Sequence, residues 1–188
     1  MNKYYVYEEN YLNKEDCQKL INYFDQNIKV KNETNVNRSF DNRVIYYEGV
    51  NNQEIKQLMK RIHDDMAKKI KDFYKEDSPI LPEATHIVKW PTGTELGDHA
   101  DNAYADGTPN YVPWRTYSCV VYLNEDFTGG EFYFKRFPYK LTPSTGLVIG
   151  FRGGIEFIHG VKKVTSGNRY ALPMWFCQDK EKAYPEYR

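Results

Sequence analysis

The chain has no excess of charge of either sign: 26 Lys plus Arg face 26 Asp plus Glu in 188 residues. That balance argues against electrostatic capture of nucleic acid or of an anionic membrane as its main business. Cysteine is scarce. Cys17, Cys119 and Cys177 are odd in number and form no CxxC pair, which excludes a zinc ribbon and a thioredoxin-like redox motif. Long apolar runs are missing, so no membrane span is predicted. The leading MNKYYVYEEN lacks the apolar stretch of a signal peptide. Together with three unpaired thiols, this predicts a cytoplasmic protein. Histidine is scarce too: His63, His86, His99 and His159 are the full set.

Aromatic residues, in contrast, are abundant, with 17 Tyr and 10 Phe. So many large rings exclude a disordered chain and suit strands and ligand pockets. The length predicts one domain over residues 1–188. Such a domain buries about 70% of its unfolded surface and needs no disulfide.

Two textures divide the chain. The first part reads as helical support, over residues 1–80. Asn13 is placed to cap a helix, with Asp16 as its partner, and Cys17, Leu20, Ile21 and Phe24 follow at i, i+3, i+4 and i+7. A polar loop is expected from Asn27 to Asn37, and a short strand from Val44 to Tyr47. A second helix starts near Asn51 and carries Ile55, Leu58, Met59, Ile62, Met66, Ile70 and Phe73 on one stripe. Pro79 and Pro82 break the helical period.

Residues 81–188 read as short strands between Gly and Pro punctuation. The expected strands are His86–Trp90, Thr116–Leu123, Glu131–Phe134, Leu147–Phe151, Ile155–His159 and Tyr170–Cys177, with a turn at Thr128-Gly129-Gly130. Asn102 to Pro113 reads as a long loop bearing Tyr104, Tyr111 and Trp114, which either cover a substrate or pack the loop. This is an α+β pattern, mainly β, with a sandwich or small barrel packed on helices.

His99 and Asp101 are two residues apart, so an extended backbone puts both side chains on one side. His159, on a later strand, supplies a third donor. Two imidazoles and a carboxylate fit one face of an octahedron and suit non-haem Fe(II), while the same set also suits catalytic zinc. On spacing alone, solvated loop residues are the favoured reading of His99 and Asp101, and a hydrogen-bonded strand residue that of His159. Arg169 opens an otherwise apolar strand, where a guanidinium needs an anionic partner. His63 and His86 receive no chemical role.

From Thr85 to Cys177 the ordered motifs resemble those of the Fe(II)/2-oxoglutarate-dependent dioxygenases, in the prolyl 4-hydroxylase-like branch. The resemblance rests on His99-Ala100-Asp101, on Arg115 through Asn124 (RTYSCVVYLN), on Gly129-Gly130-Glu131-Phe132, and on Pro143, Gly146 and Phe151. It continues through His159-Gly160-Val161 and closes with Gly167, Arg169, Tyr170 and Trp175. It implies a double-stranded β-helix, a jelly-roll barrel with N-terminal supporting helices. It further implies Fe(II) held by His99, Asp101 and His159, with 2-oxoglutarate paired to Arg169 and reached by Tyr122 and Ser118. Dioxygen is the oxidant, with ascorbate as an optional reductant. Arg115 and Trp175 match positions lining the substrate side, and Tyr104 is added to them from the long loop.

The implied activity is hydroxylation of an unactivated C–H, of a prolyl residue in a peptide or protein, with release of succinate and CO2. Three rivals stand beside it: the same chemistry on a free amino acid or other small molecule, a non-catalytic jelly-roll binding module, and a zinc hydrolase. The sequence departs from the family at Trp90, where Tyr is usual, and at Ser118, where Thr is usual.

Overall fold

A computed structural model describes residues 4–28, 42–137 and 140–188. The elements run β1 (Val6–Glu8), α1 (Lys14–Asn27), β2 (Val44–Tyr46), α2 (Gln53–Tyr74), β3 (Leu81–Pro91), β4 (Leu96–His99) and β5 (Tyr117–Tyr122). They continue with β6 (Thr128–Gly129), β7 (Phe132–Phe134), β8 (Lys140–Leu141), β9 (Val148–Arg152), β10 (His159–Val161), β11 (Val164–Ser166) and β12 (Asn168–Cys177). A major sheet has the order β1-β9-β5-β12-β3-β2, and a minor sheet the order β4-β10-β7-β8. β6 and β11 form a separate pair. All recorded pairings are antiparallel. This is the double-stranded β-helix, two sheets with two helices backing the larger one.

The helices form where the capping and periodicity predict them. The Asn13 side chain accepts from the Asp16 N–H at 2.8 Å, and its Nδ2 donates to the Asp16 carboxylate at 3.0 Å. Arg61 of α2 then bonds the same carboxylate at 2.6 Å, which joins the two helices at the cap. Asn52 caps α2 through the Ile55 N–H, and Lys75 ends it in the left-handed conformation. The stripes Cys17, Leu20, Ile21, Phe24 and Ile55, Leu58, Met59, Ile62, Met66, Ile70 are buried. Each large apolar side chain contributes about 1.5–3 kcal/mol of transfer free energy. Their partner is one face of the major sheet: Tyr117, Cys119 and Val121 of β5, with Leu172, Met174 and Phe176 of β12.

Strand alternation sends the intervening residues to the opposite face. There Tyr122, Ile149 and Phe151 meet Phe132 and Phe134 of the minor sheet. Val88, Trp90 and Ala171 meet Val164 beside them. The inner face of the major sheet is therefore the wall of the barrel, and the helices keep its outer face dry.

Several expected boundaries shift. Val6–Glu8 is a strand, because it pairs with β9 at the sheet edge; three residues ending in an acid carry no period of their own. Ile155–Phe157 is a 3-10 turn, and the strand begins only at His159. Thr128 and Gly129 form a short strand with β11 rather than only a turn. Gly129 sits at φ +73°, and a Cβ there would lie 2.1 Å from the Lys163 carbonyl oxygen, so the position demands glycine. Pro82 lies inside β3. Most of the expected polar loop from Asn27 to Asn37 lies outside the described residues. No helix among the described residues is long and apolar enough to cross a membrane.

His63 is fully buried on α2, where Nε2 meets Thr85 Oγ1 at 2.8 Å and the rings of Tyr47, Tyr184 and Tyr187 surround it. Burial pushes its pKa down to about 3. The unfolded chain binds this proton below about pH 6.5 and the folded chain does not, so His63 makes stability fall as pH falls through that window. The slope is about 1.4 kcal/mol per pH unit. Replacing His63 with Phe keeps an aromatic ring and removes the titration. Chemical denaturation of the variant is expected to show a flatter pH dependence between about pH 6 and about pH 4; parallel curves for the two proteins would clear His63 of this effect.

Candidate active site

Two strands of the minor sheet bring the imidazoles together. β10 runs antiparallel to β4 with His159 directly opposite His99, and the two rings lie 4.3 Å apart between centroids. Asp101 lies just beyond the end of β4. Its backbone N–H bonds the Gly153 carbonyl at 3.0 Å, and its own carbonyl accepts from Asn110 Nδ2 at 3.0 Å. The β4 ladder ends at His99, and these loop bonds hold the Asp101 backbone beyond it. His99 Nε2 lies 3.9 Å from one Asp101 oxygen and His159 Nε2 lies 3.7 Å from the other. One donor atom from each of the three residues falls within 4.8 Å of the others.

The ring orientations fit a metal. His99 Nδ1 faces the Gly97 carbonyl oxygen at 2.9 Å, and His159 Nδ1 faces the Phe157 carbonyl oxygen at 2.9 Å. Each carbonyl holds the proton on Nδ1 and leaves the Nε2 lone pair toward Asp101, the outer-shell arrangement typical of ligating histidines. Burial pushes the His159 pKa down against the pull of Asp101, so the ring is neutral. Burial raises the Asp101 pKa, but His159, His99 and hydrogen bonds from Ser118 and Trp175 outweigh it, and the net shift is downward. The group is a carboxylate ready for a cation. Three protein donors on one side leave positions open for a chelating ligand and a gas, the pattern of non-haem Fe(II) centres. Phe132, Phe134 and Phe151 crowd the His159 ring.

Ser118, expected near the cosubstrate, donates its hydroxyl to Asp101 Oδ2 at 2.6 Å. It therefore orients the carboxylate ligand. Val121 of the same strand faces the helices, because its neighbours Val120 and Tyr122 take the inner face.

Arg169 forms the second pole. It is 2% exposed on β12, directly opposite Trp90 of β3. Its guanidinium carbon lies 5.6 Å from the Trp90 ring centre and 5.1 Å from that of Tyr122. Its Nε has no hydrogen-bond partner, and no carboxylate among the described residues forms an ion pair with it. Burial lowers its pKa. A buried cation held this way costs several kcal/mol unless an anion joins it. Gly130 leaves the room: a Cβ there would stand 3.0 Å from Arg169 Cδ. The aromatic rings of Trp90 and Tyr122 thus flank a ready anion seat, and Trp90 takes part through its ring.

The expected substrate residues divide. Arg115 bonds Glu83 at 2.9 Å, and Trp114 donates to the same carboxylate at 3.1 Å. The Arg115 guanidinium carbon also lies 4.5 Å from the Trp175 ring centre, so Arg115 reaches the centre through Trp175. Tyr104 is 53% exposed on the loop after Asp101, with no hydrogen bond or ring contact to the triad. Sequence reasoning missed Glu83, and it missed His86, whose ring lies 5.3 Å from Trp175. The period-two alternation with Val88 and Trp90 was the available signal for His86.

The fold and site define a metal centre of two histidines and one carboxylate in a double-stranded β-helix. Residues 85–177 match the family described as the 2OG-Fe(II) oxygenase superfamily. The chain belongs to that superfamily and is prolyl hydroxylase-like; Fe(II) and 2-oxoglutarate are its cofactor pair. Among curated proteins it is 31% identical over 154 residues to prolyl 3-hydroxylase 2 of Rattus norvegicus, covering 71% of this chain and 22% of the relative. To human prolyl 3-hydroxylase 2 it is 40% identical over 93 residues, covering 43% of this chain and 13% of the relative. The chain spans about a fifth of the length of the curated relatives it matches, or less. In fold it is similar to the viral collagen prolyl hydroxylase of Paramecium Bursaria Chlorella virus-1, with TM-score 0.70, 20% identity, and coverage of 95% of this chain and 98% of that one. A Pseudomonas putida prolyl-4-hydroxylase gives TM-score 0.71 at 17% identity, with 95% and 94% covered.

Removal of one ligand is expected to abolish Fe(II) uptake: His99→Ala and Asp101→Ala should show no iron after anaerobic loading, and retained iron in either would reject the triad. Ser118→Ala should weaken Fe(II) binding by roughly 10–100-fold through the loosened carboxylate. Ser118→Thr, which keeps the hydroxyl, should restore it in the same anaerobic titration.

Proposed function

We propose that the chain is an Fe(II)- and 2-oxoglutarate-dependent dioxygenase that hydroxylates a prolyl residue of a peptide or protein. The observation that carries the oxygenase reading is Arg169, a buried cation without a carboxylate partner on the wall that faces the metal ligands. The zinc-hydrolase reading leaves that charge unexplained. A diacid that chelates the metal at one end meets it with the other. The named activities of the prolyl hydroxylase relatives support the substrate class.

When bound, Fe(II) with 2-oxoglutarate and dioxygen supplies oxidative hydroxylation of a C–H bond, leaving succinate and CO2. The chain's own residues do the rest. His99, Asp101 and His159 hold the metal with neighbouring positions open. Arg169 fixes the distal carboxylate, and the Trp90 and Tyr122 rings restrict where that carboxylate sits. Ser118 and Trp175 hold the Asp101 carboxylate in one orientation. Phe132, Phe134 and Phe151 exclude water from the His159 side.

The test uses Arg169→Met. This change removes a buried charge and keeps an apolar filling, so stability without cosubstrate should hold or rise. The rise in Tm that 2-oxoglutarate gives the native chain should vanish, and the apparent KM for 2-oxoglutarate should rise on the order of a hundredfold. An unchanged KM would remove Arg169 from the site. A panel of proline-containing peptides, read by mass spectrometry for one added oxygen and by amino-acid analysis for its ring position, tests the substrate. Oxygen added only to a free amino acid would replace the peptide reading.

A further inference from the structure

β3 threads the barrel wall, and its alternation is sharp. Thr85 and Ile87 face the helices, Thr85 through His63 and Ile87 within the helix-side core. Val88 and Trp90 lie in the interior cluster, and Trp90 touches Arg169. His86 shares their parity and so faces the interior. Tyr46 of the edge strand β2 is its direct partner in the ladder. The two rings stand 5.4 Å apart at 74°.

On its other side His86 meets Trp175 at 5.3 Å. Trp175 in turn interacts with the metal ligand Asp101 and lowers its pKa. Tyr46 is 55% exposed. Tyr46, His86 and Trp175 thus form one aromatic strip from the solvent to the carboxylate ligand. Across β12 the pairing joins Ala171 to Val88 and Met174 to Thr85, skipping Leu172 and Pro173. Pro173 has no N–H to give, so the wall beside His86 is left without a ladder bond from that residue.

The chemistry of the strip selects a class of ligand. His86 makes no hydrogen bond among the described residues. Burial and the nearby Arg115 charge push its pKa down to about 3, so it is neutral at ordinary pH. A neutral imidazole offers one donor and one acceptor. Among the described residues the cation at the strip is Arg115, which Glu83 neutralises. An acidic or basic substrate group finds no counter-charge here. A main-chain amide, neutral and both donor and acceptor, matches the ring. The faces of Tyr46 and Trp175 match apolar rings on either side of it.

We propose that His86 is a specificity-determining contact of this site: it hydrogen-bonds a main-chain amide of the substrate peptide next to the target residue, while Tyr46 and Trp175 pack the flanking side chains. This rests on the peptide-oxygenase reading above. It moves polar recognition from Arg115, which Glu83 holds, to a residue on the neighbouring strand.

The test measures binding of an end-blocked Ala-Pro repeat peptide to the full chain loaded anaerobically with Fe(II) and 2-oxoglutarate. The visible charge-transfer band of the chelate reports an intact centre in every variant. His86→Leu should weaken peptide binding about tenfold or more with the band unchanged, because the peptide amide loses its partner. His86→Gln, which keeps a donor and an acceptor, should recover most of that loss. Tyr46→Ser, at an exposed position, should also weaken binding.

Native-like affinity in His86→Leu would overturn the proposal while leaving the oxygenase reading intact. If His86→Leu loses the band, Tyr46→Ser decides, and unchanged peptide affinity there overturns the proposal. Absence of peptide binding by the native chain, with the band present, would end the peptide reading and this proposal with it.

Discussion

The antiparallel pairing of β4 with β10 is the contact from which the centre is built. It sets His99 and His159 as direct partners across the ladder, at a spacing where opposed side chains touch. Neither strand is long: β10 has three residues and β4 has four. Register must therefore come from outside the pair. It comes from β7, which sandwiches β10 and pairs Phe134 with His159, and from the Phe132, Phe134 and Phe151 cluster that buries the same ring. A slip of either strand by one residue would turn its imidazole to the other face of the minor sheet and end metal binding. The phenylalanine packing is thus part of the site, although it touches no ligand-binding atom directly.

The major sheet answers the opposite electrostatic need. The metal ligands bring one carboxylate and two neutral rings, while the wall opposite brings a buried guanidinium. The barrel holds a cation seat on one sheet and an anion seat on the other. A ligand that binds both must be a diacid with a spacer. The two helices make this arrangement affordable in stability: they bury the outer face of β5 and β12, so that the inner face is free to carry Ser118, Tyr122, Arg169 and Trp175. Polar residues alternate with Cys119, Val121, Leu172 and Met174 on the same strands, and the apolar half holds the sheet together.

Much of this was legible in the sequence, and the reasons are local. The helix stripes and the Asn13 cap follow a period that tertiary packing did not override. β5, β9 and β12 carry runs of buried residues long enough to read as strands. The triad was legible both as an ordered motif and in the two-residue spacing of His99 and Asp101, whose side chains do meet on one side. The strands that were missed or misplaced, β1, β4, β6, β8, β10 and β11, span two to four residues and gain their identity from partners elsewhere in the chain. The bond from Ser118 to Asp101 was not legible, because a hydroxyl on an inner-face strand position serves a cosubstrate or a ligand carboxylate equally well until distances are known.

His86 shows why a site exceeds its motif. The period-two alternation with Val88 and Trp90 tells which way His86 faces but not what it does, and burial alone explains most such residues. Its meaning depends on three cross-strand neighbours: Tyr46 from before the second helix, Trp175 from the last strand, and Arg115 from the loop end. The Glu83–Arg115 pair decides the character of the strip, because an unpaired Arg115 would make it an anion path. With that pair formed, Trp175 can face Asp101 on one side and the aromatic strip on the other. Ligand orientation at the metal and recognition at the mouth of the barrel therefore share one indole, so a change in how the strip is filled bears directly on the carboxylate that holds the metal.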